Sequence, residues 1–374
     1  MKRNAGFSLL EMLVAMAVTV IVVIVSLDAL TQAQHATEGV SLMANMTENL
    51  RAGMNSMSQD LILAGSGIPQ GGISIPAGNG PAMNRPSPVG APLLAQRFVD
   101  LTNAPLTAIP AVDPGFTFGP AIQGPSDMVT IIYADNLTFG PLNPPVGLPL
   151  NANAINDPGA VAPSQACNGT IDPSGNGGFV TFDPACVTLV AGNGAIAPGD
   201  LIMFSNNQGN TIECVTGVTF GPPSRLTFAA GDPYGLNGTA PTYTSGTMKQ
   251  LEVAGAYPPT AATRVWMITY YLDNTNPAGP RLMRQVNFNA PRPVAESIEG
   301  LQIAYNFVSP LCGALACTNQ PNPPAGLTPD QMMSANLFLA ARSDRQFSWT
   351  KRFFRNNLTS QISLRGLAFF NQYN

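Results

Sequence analysis

The residues that could do chemistry are concentrated at the start of the chain. A short basic leader with Lys2 and Arg3 ends at Gly6, and Phe7 then opens an apolar run that contains one acid, Glu11. An ordinary secretory signal has its small-residue cleavage site after the apolar segment. Here the candidate cleavage site, the small-residue pair Ala5-Gly6, precedes the apolar segment. The apolar segment would therefore stay attached to the rest of the chain after processing.

This arrangement resembles the N-terminal signal of type IV prepilins and pseudopilins. The resemblance implies that a prepilin peptidase cuts between Gly6 and Phe7 and that the new amine of Phe7 is methylated. It also implies that Glu11 pairs with the Phe7 amine of a neighbouring subunit during assembly. The alternative is that the apolar segment is a signal-anchor helix, in which Glu11 is one tolerated acid.

The apolar segment is long enough to cross a membrane. Residues 7–30 would form roughly 36 Å of helix, against a hydrocarbon core of about 30 Å. A carboxylate costs on the order of 2.5–3.5 kcal/mol at mid-membrane, and less at a helix start, where the dipole favours an anion. The positively charged Lys2 and Arg3 would keep residues 1–6 on the cytoplasmic side of the membrane. With the family resemblance, this predicts a single-pass protein of the bacterial inner membrane with an extracytoplasmic C-terminal domain, later carried to the pilus or cell surface.

The helix is predicted to continue beyond the membrane, because the first proline after Phe7 is Pro69. Apolar residues recur at steps of three or four, which is the period of one helix face, at Val40, Met43, Met46, Leu50, Met54, Met57 and Leu61. We therefore predict one helix over residues 7–64, ended by the breaker at residues 65–69. Gly39 and Gly53 should weaken it by about 1 kcal/mol each relative to Ala.

Residues 65–374 are typical of a β-rich domain with large loops, because strand-like runs alternate with stretches rich in glycine and proline. The predicted fold class is α+β, with the long helix followed by an antiparallel sheet domain. Its size allows an inserted β subdomain at about residues 140–260. Residues 248–253 read as a strand, and Trp266 and Trp349 are expected to fill the core.

Five cysteines are present, and export to an oxidising compartment favours disulfides over metal ligands. Cys312 and Cys317 are the first candidate pair. Cys167 and Cys186 are the second, which leaves Cys214 free and buried. A Cys186–Cys214 bridge is the competing possibility for the second pair.

The composition argues against several classes of function. The formal net charge of −4 provides no basic footprint for nucleic acid, so we expect no nucleic-acid partner. The single histidine, His35, excludes a clustered histidine metal site and disfavours a histidine-based catalytic device. We therefore predict no catalytic residues, no resident metal and no cofactor. Aspartates such as Asp127 are expected to lie in loops and are interpreted as turn formers rather than calcium ligands.

Three C-terminal segments are similar to those of PilW-like minor pilins. Residues 294–305 contain a predicted strand with Glu299, Leu301, Ile303 and Tyr305. Residues 336–343 are a predicted strand that ends in Arg-Ser. Residues 358–365 are a predicted strand that ends in Leu-Arg. Residues 59–65 are also similar to that group, although an apolar residue replaces its usual arginine. Residues 70–290 carry almost none of the resemblance.

Together these resemblances predict a non-enzymatic minor pilin of a bacterial type IV pilus, acting in assembly or priming or at the tip. Its implied partners are the major pilin, other minor pilins, the prepilin peptidase and methyltransferase, and the inner membrane before assembly. A type II secretion pseudopilin shares every N-terminal feature and is the nearest alternative. A tip adhesin is a second alternative, and an enzyme on a signal-anchor is the least favoured one.

Overall fold

The computed structural model describes residues 8–69, 71–75, 77–78, 83–98, 106, 108–119, 124–134, 148–150, 169–172, 178–182, 189, 191, 195–221, 223–237, 243–245, 247–254, 257–258, 260–276, 279–312, 317–321, 327, 331–364 and 366–367. The processing positions Gly6 and Phe7 and the cysteines Cys167 and Cys186 lie outside these residues.

The N-terminal part is one helix, α1 (Leu9–Leu63). It ends where Ala64 leaves helical geometry and Gly65 takes a φ of 77°, which a residue without a Cβ adopts at little cost. The Gly65 N–H donates to the carbonyl of Ile132 at 2.9 Å, so the helix end is tied to the sheet domain. The predicted long, uninterrupted N-terminal helix is confirmed.

In the part of the chain that the structure describes, twenty strands follow α1. The first ten are β1 (Ile73–Ser74), β2 (Ala77–Gly78), β3 (Ala108–Ile109), β4 (Val112–Gly119), β5 (Ser126–Ala134), β6 (Leu148–Leu150), β7 (Gly169–Asp172), β8 (Phe179–Phe182), β9 (Leu201–Asn206) and β10 (Gly209–Cys214). The others are β11 (Gly217–Thr219), β12 (Arg225–Thr227), β13 (Tyr243–Ser245), β14 (Thr260–Asp273), β15 (Arg281–Val286), β16 (Arg292–Glu296), β17 (Ile298–Phe307), β18 (Cys317–Gln320), β19 (Met332–Arg342) and β20 (Arg355–Ser363).

The recorded strand pairings are antiparallel, which confirms the α+β class. Among the described strands, the largest sheet has eight members organised around β14. The first half of β14 pairs with β9 and β6, and its second half lies between β5 and β15. β10, β16 and β4 extend this sheet. A C-terminal sheet has the order β18-β17-β19-β20, a third has the order β11-β12-β8-β7, and two small sheets are β1-β3 and β13-β2.

The main core lies where the second half of α1 packs on β19, β20 and β16. The helix buries Leu42, Met46, Leu50, Met54, Met57 and Leu61. Two predicted positions of the buried face are wrong, because Val40 and Met43 are 69% and 48% exposed. The sheet covers the helix only from Leu42 onwards, so Val40 lies outside the contact. Within the contact, Leu42 is buried in place of Met43.

A separate hydrophobic cluster lies in the segment between β6 and β14. It includes Val180, Phe182, Leu226 and Phe228. The same segment also supplies β9 and β10 to the eight-stranded sheet. The strand expected at residues 248–253 is instead a 3₁₀ helix, Met248–Leu251.

Candidate assembly surface on the helix

The first half of α1 stands clear of the sheet domain. Residues 8–34 are exposed along their whole length, roughly 39 Å of helix from residue 9. By length and composition α1 is able to cross a membrane. Two hydroxyls within the apolar stretch are already satisfied, since Thr19 donates to the carbonyl of Ala15 and Ser26 to that of Val22, each at 2.8 Å. These internal hydrogen bonds allow the surface to face lipid without unpaired hydroxyl donors.

Glu11 takes part in a capping box at the start of α1. The Ser8 hydroxyl accepts from the N–H of Glu11 at 3.2 Å, while Oε2 of Glu11 accepts from the N–H of Ser8 at 2.9 Å. Two N–H groups that the helix cannot satisfy are thereby paired. The sequence signal for this box is a serine three residues before a glutamate, Ser8 and Glu11. Only one carboxylate oxygen is needed for the box, so the other can accept from a second donor.

The far end of α1 is fixed to the sheet by a buried carboxylate. Oδ2 of Asp60 accepts from the Tyr270 hydroxyl at 2.6 Å and from Nε of Arg284 at 2.7 Å, and Oδ1 accepts from Nη2 of Arg284 at 3.1 Å. Ser56 adds a contact to the same hydroxyl at 2.7 Å. Burial lowers the pKa of Arg284, but the hydrogen bonds and charge of Asp60 outweigh this effect, so the pKa lies above its ordinary value. No local sequence pattern predicts this network, because Asp60 lies more than two hundred residues from Tyr270 and from Arg284.

The segment between β19 and β20, residues 343–354, folds back onto α1; we call it the hairpin loop. The ring of Trp349 stacks on His35 with centroids 5.5 Å apart, and Phe347 meets the same imidazole edge-on at 5.9 Å. Trp349 is nevertheless 72% exposed, so its predicted place in the core is wrong. Trp266 is only partly buried, against the edge of the main core.

The structure joins Cys312 and Cys317 by a disulfide, with Cα atoms 5.3 Å apart. Both lie against the main core, Cys312 in the connection that follows β17 and Cys317 at the start of β18. Cys214 is buried and free, and burial raises the pKa of its thiol. It is therefore a poor nucleophile and a poor metal ligand, since both roles need the thiolate.

Within the described residues, no group of three or more histidine, cysteine, aspartate or glutamate side chains is placed to hold a metal ion. Asp127 instead links two elements: its oxygens accept from the N–H groups of Thr117 and Ile303, each at 2.8 Å. Asp127 lies in β5 and not in a loop as expected from the sequence, and its position fits a structural acceptor.

The C-terminal motif residues come together on neighbouring strands. Glu299 of β17 accepts from Arg342 of β19 at 3.2 Å and from Arg355 of β20 at 2.9 Å. Glu299 is buried, and the two guanidinium groups compensate the charge that burial would otherwise leave unpaired. Arg365 lies outside the described residues.

Comparison with known families identifies the N-terminal segment. Residues 1–27 match the model of the prokaryotic N-terminal methylation motif. The matched segment contains Gly6, Phe7 and Glu11. Comparisons with curated proteins and with solved structures give no significant match. The N-terminal segment therefore carries a prepilin-type methylation motif, which supports a type IV pilin-like or pseudopilin protein.

Proposed function

We propose that this chain is a PilW-like minor pilin, a structural subunit that joins a bacterial type IV pilus through non-covalent helix packing. The observation that carries the proposal is the division of α1 into two halves. An exposed apolar half bears the methylation motif, and a second half is packed under an antiparallel sheet. The first half would lie in the inner membrane and then in the filament core, while the sheet domain faces outwards.

Glu11 would set the register of the subunit in the filament. In an apolar filament core an unpaired carboxylate is strongly disfavoured. Removal of residues 1–6 by the prepilin peptidase would create the amine of Phe7, and the amine of a neighbouring subunit can approach the carboxylate oxygen that the capping box leaves free. Processing would thus supply the charged partner that makes burial of Glu11 acceptable.

Mass spectrometry of sheared filaments, with the membrane fraction alongside, tests the proposal. We expect a peptide that starts at methylated Phe7, at low stoichiometry relative to the major pilin. A processed form found only in the membrane would favour a secretion pseudopilin. Persistence of residues 1–6 in cells with active peptidase would refute the pilin assignment.

Two matched variants separate the capping role of Glu11 from its charge. Glu11→Gln keeps a side-chain oxygen that can accept from the N–H of Ser8 but removes the charge. Ser8→Ala removes the other half of the box at a cost of about 1 kcal/mol and leaves the charge. We expect Glu11→Gln to be processed but largely absent from filaments, and Ser8→Ala to be incorporated. Equal incorporation of both would contradict the charge-pair role.

A further inference from the structure

The hairpin loop lies at the level where α1 leaves its apolar stretch. His35, the helix residue on which Trp349 stacks, is five positions past Leu30, or roughly 7.5 Å along the axis. The headgroup layers add 10–15 Å to a hydrocarbon core of about 30 Å, so each is about 5–7 Å deep. If α1 tilts so that the roughly 36 Å of residues 7–30 fits a core of about 30 Å, the distance from Leu30 to His35 corresponds to about 6 Å of depth. Trp349 is then held at headgroup depth.

The loop presents its tryptophan from a fixed base. Phe347 and Phe354 pack on each other with centroids 5.2 Å apart, and both approach α1 at Gly39. The N–H of Phe347 donates to the carbonyl of Arg352, and the N–H of Lys351 to the carbonyl of Phe347, each at 2.9 Å. The Ser348 hydroxyl donates to Glu38 and lies 3.4 Å from Nδ1 of His35, which adds a polar attachment. The loop is thus held to α1 at several points while Trp349 remains exposed.

The exposed side chains of the loop carry an excess of positive charge. Arg345, Lys351 and Arg352 are exposed, against one acid, Asp344. Arg345 lies close enough to Glu38 to help lower the pKa of that carboxyl, after the larger effect of the Ser348 hydrogen bond. Lys351 and Arg352 make no ion pair with any residue that the structure describes. These two cations are therefore free to meet an external anion.

We propose that the hairpin loop is a membrane-surface anchor, in which Trp349 enters the headgroup layer and Lys351 and Arg352 bind anionic phospholipid headgroups where α1 emerges. Tryptophan is enriched at this depth because its ring is amphipathic. A cation near an anionic bilayer surface favours binding about fivefold per residue. The anchor would hold the sheet domain against the bilayer until the subunit is extracted. The inference rests on the membrane-spanning role of α1 under the proposed function.

The test uses the full chain, one copy per lipid nanodisc, in a Trp266→Phe background that leaves Trp349 as the only tryptophan. The discs contain phosphatidylcholine alone or phosphatidylcholine mixed with phosphatidylglycerol. Quenching of Trp349 fluorescence by aqueous iodide and by brominated lipid is measured in both. We expect protection from iodide and quenching by lipid brominated close to the headgroup, with both effects stronger in the anionic discs.

Two single variants and a charge-matched control check the role of the cations. Lys351→Gln and Arg352→Gln are each expected to lower the ratio of docked to undocked loop about fivefold in anionic discs. Lys249→Gln removes an exposed cation from another part of the sheet domain and should leave the quenching unchanged. Insertion of α1 is read separately, as co-elution with the disc in about 1 M salt, where the Debye length is about 3 Å.

Three outcomes would overturn the inference. Co-elution with the disc while Trp349 stays equally open to iodide in both lipids would refute the anchor and leave the pilin assignment standing. Protection that appears only with two copies per disc would assign the loop to a protein contact. Failure of α1 to remain in the disc would refute the membrane-spanning role first, and the anchor with it.

Discussion

Gly53 lies where α1 crosses the sheet most closely, and its replacement by alanine tests that packing. A Cβ at Gly53 would lie 3.0 Å from Cδ2 of Leu282, 3.2 Å from Cβ of Ala295 and 3.4 Å from Cδ1 of Leu339. These distances are shorter than the 3.5–4.0 Å at which carbon atoms attract each other best. Gly39 is the matched control, because its Cβ would meet only Phe347 and Phe354, each at 3.9 Å.

The two substitutions share the same gain in helix propensity, so their difference reports packing. Gly→Ala within a helix stabilises by about 1 kcal/mol. An extra methyl in a well-packed core costs about 1–3 kcal/mol. We therefore expect Gly39→Ala to stabilise by about 1 kcal/mol and Gly53→Ala to destabilise by about 0–2 kcal/mol.

The assay is urea unfolding of the full chain in detergent micelles, followed by near-ultraviolet circular dichroism. If the free energy of unfolding depends on urea concentration with the same slope in both variants, the shift in midpoint gives their difference in stability. If Gly53→Ala stabilised the protein as much as Gly39→Ala, the close approach of α1 to the strands of Leu282 and Leu339 would be refuted.

Three further predictions concern buried groups. Burial raises the pKa of the Glu213 carboxyl well above its ordinary value of 4.5. Above about pH 4.5 the folded state therefore keeps a proton that the unfolded state loses. The free energy of unfolding should fall as the pH rises through this range. Denaturant unfolding of Glu213→Gln between pH 4.5 and 8 should show a shallower fall, and an unchanged slope would contradict this assignment. Arg284→Met should destabilise by about 1–3 kcal/mol because it leaves the Asp60 carboxylate buried without its cation; a double-mutant cycle with Asp60→Asn that gave no coupling would count against the network. Replacing Cys312 and Cys317 by serine should cost about 2 kcal/mol, read as a lower thermal midpoint, and reductant should then have no further effect through this pair.

The sequence by itself determined the features that depend on neighbouring residues. The basic leader, Gly6, Phe7 and Glu11 form one contiguous motif, and the length of the apolar run and the helical period predicted α1 because helix hydrogen bonds and side-chain faces are local. The antiparallel, loop-rich character of the rest was also readable from short strand-like runs separated by turn residues.

The tertiary structure decided everything that depends on which distant segments meet. It places Asp60 against Tyr270 and Arg284, makes Gly53 a contact point rather than a weak position in the helix, and leaves Val40 and Trp349 exposed. Periodicity shows that a helix has an apolar face, but the reach of the sheet determines how much of that face is covered. These contacts join residues far apart in the chain, and a local pattern contains no information about which partner each side chain will find.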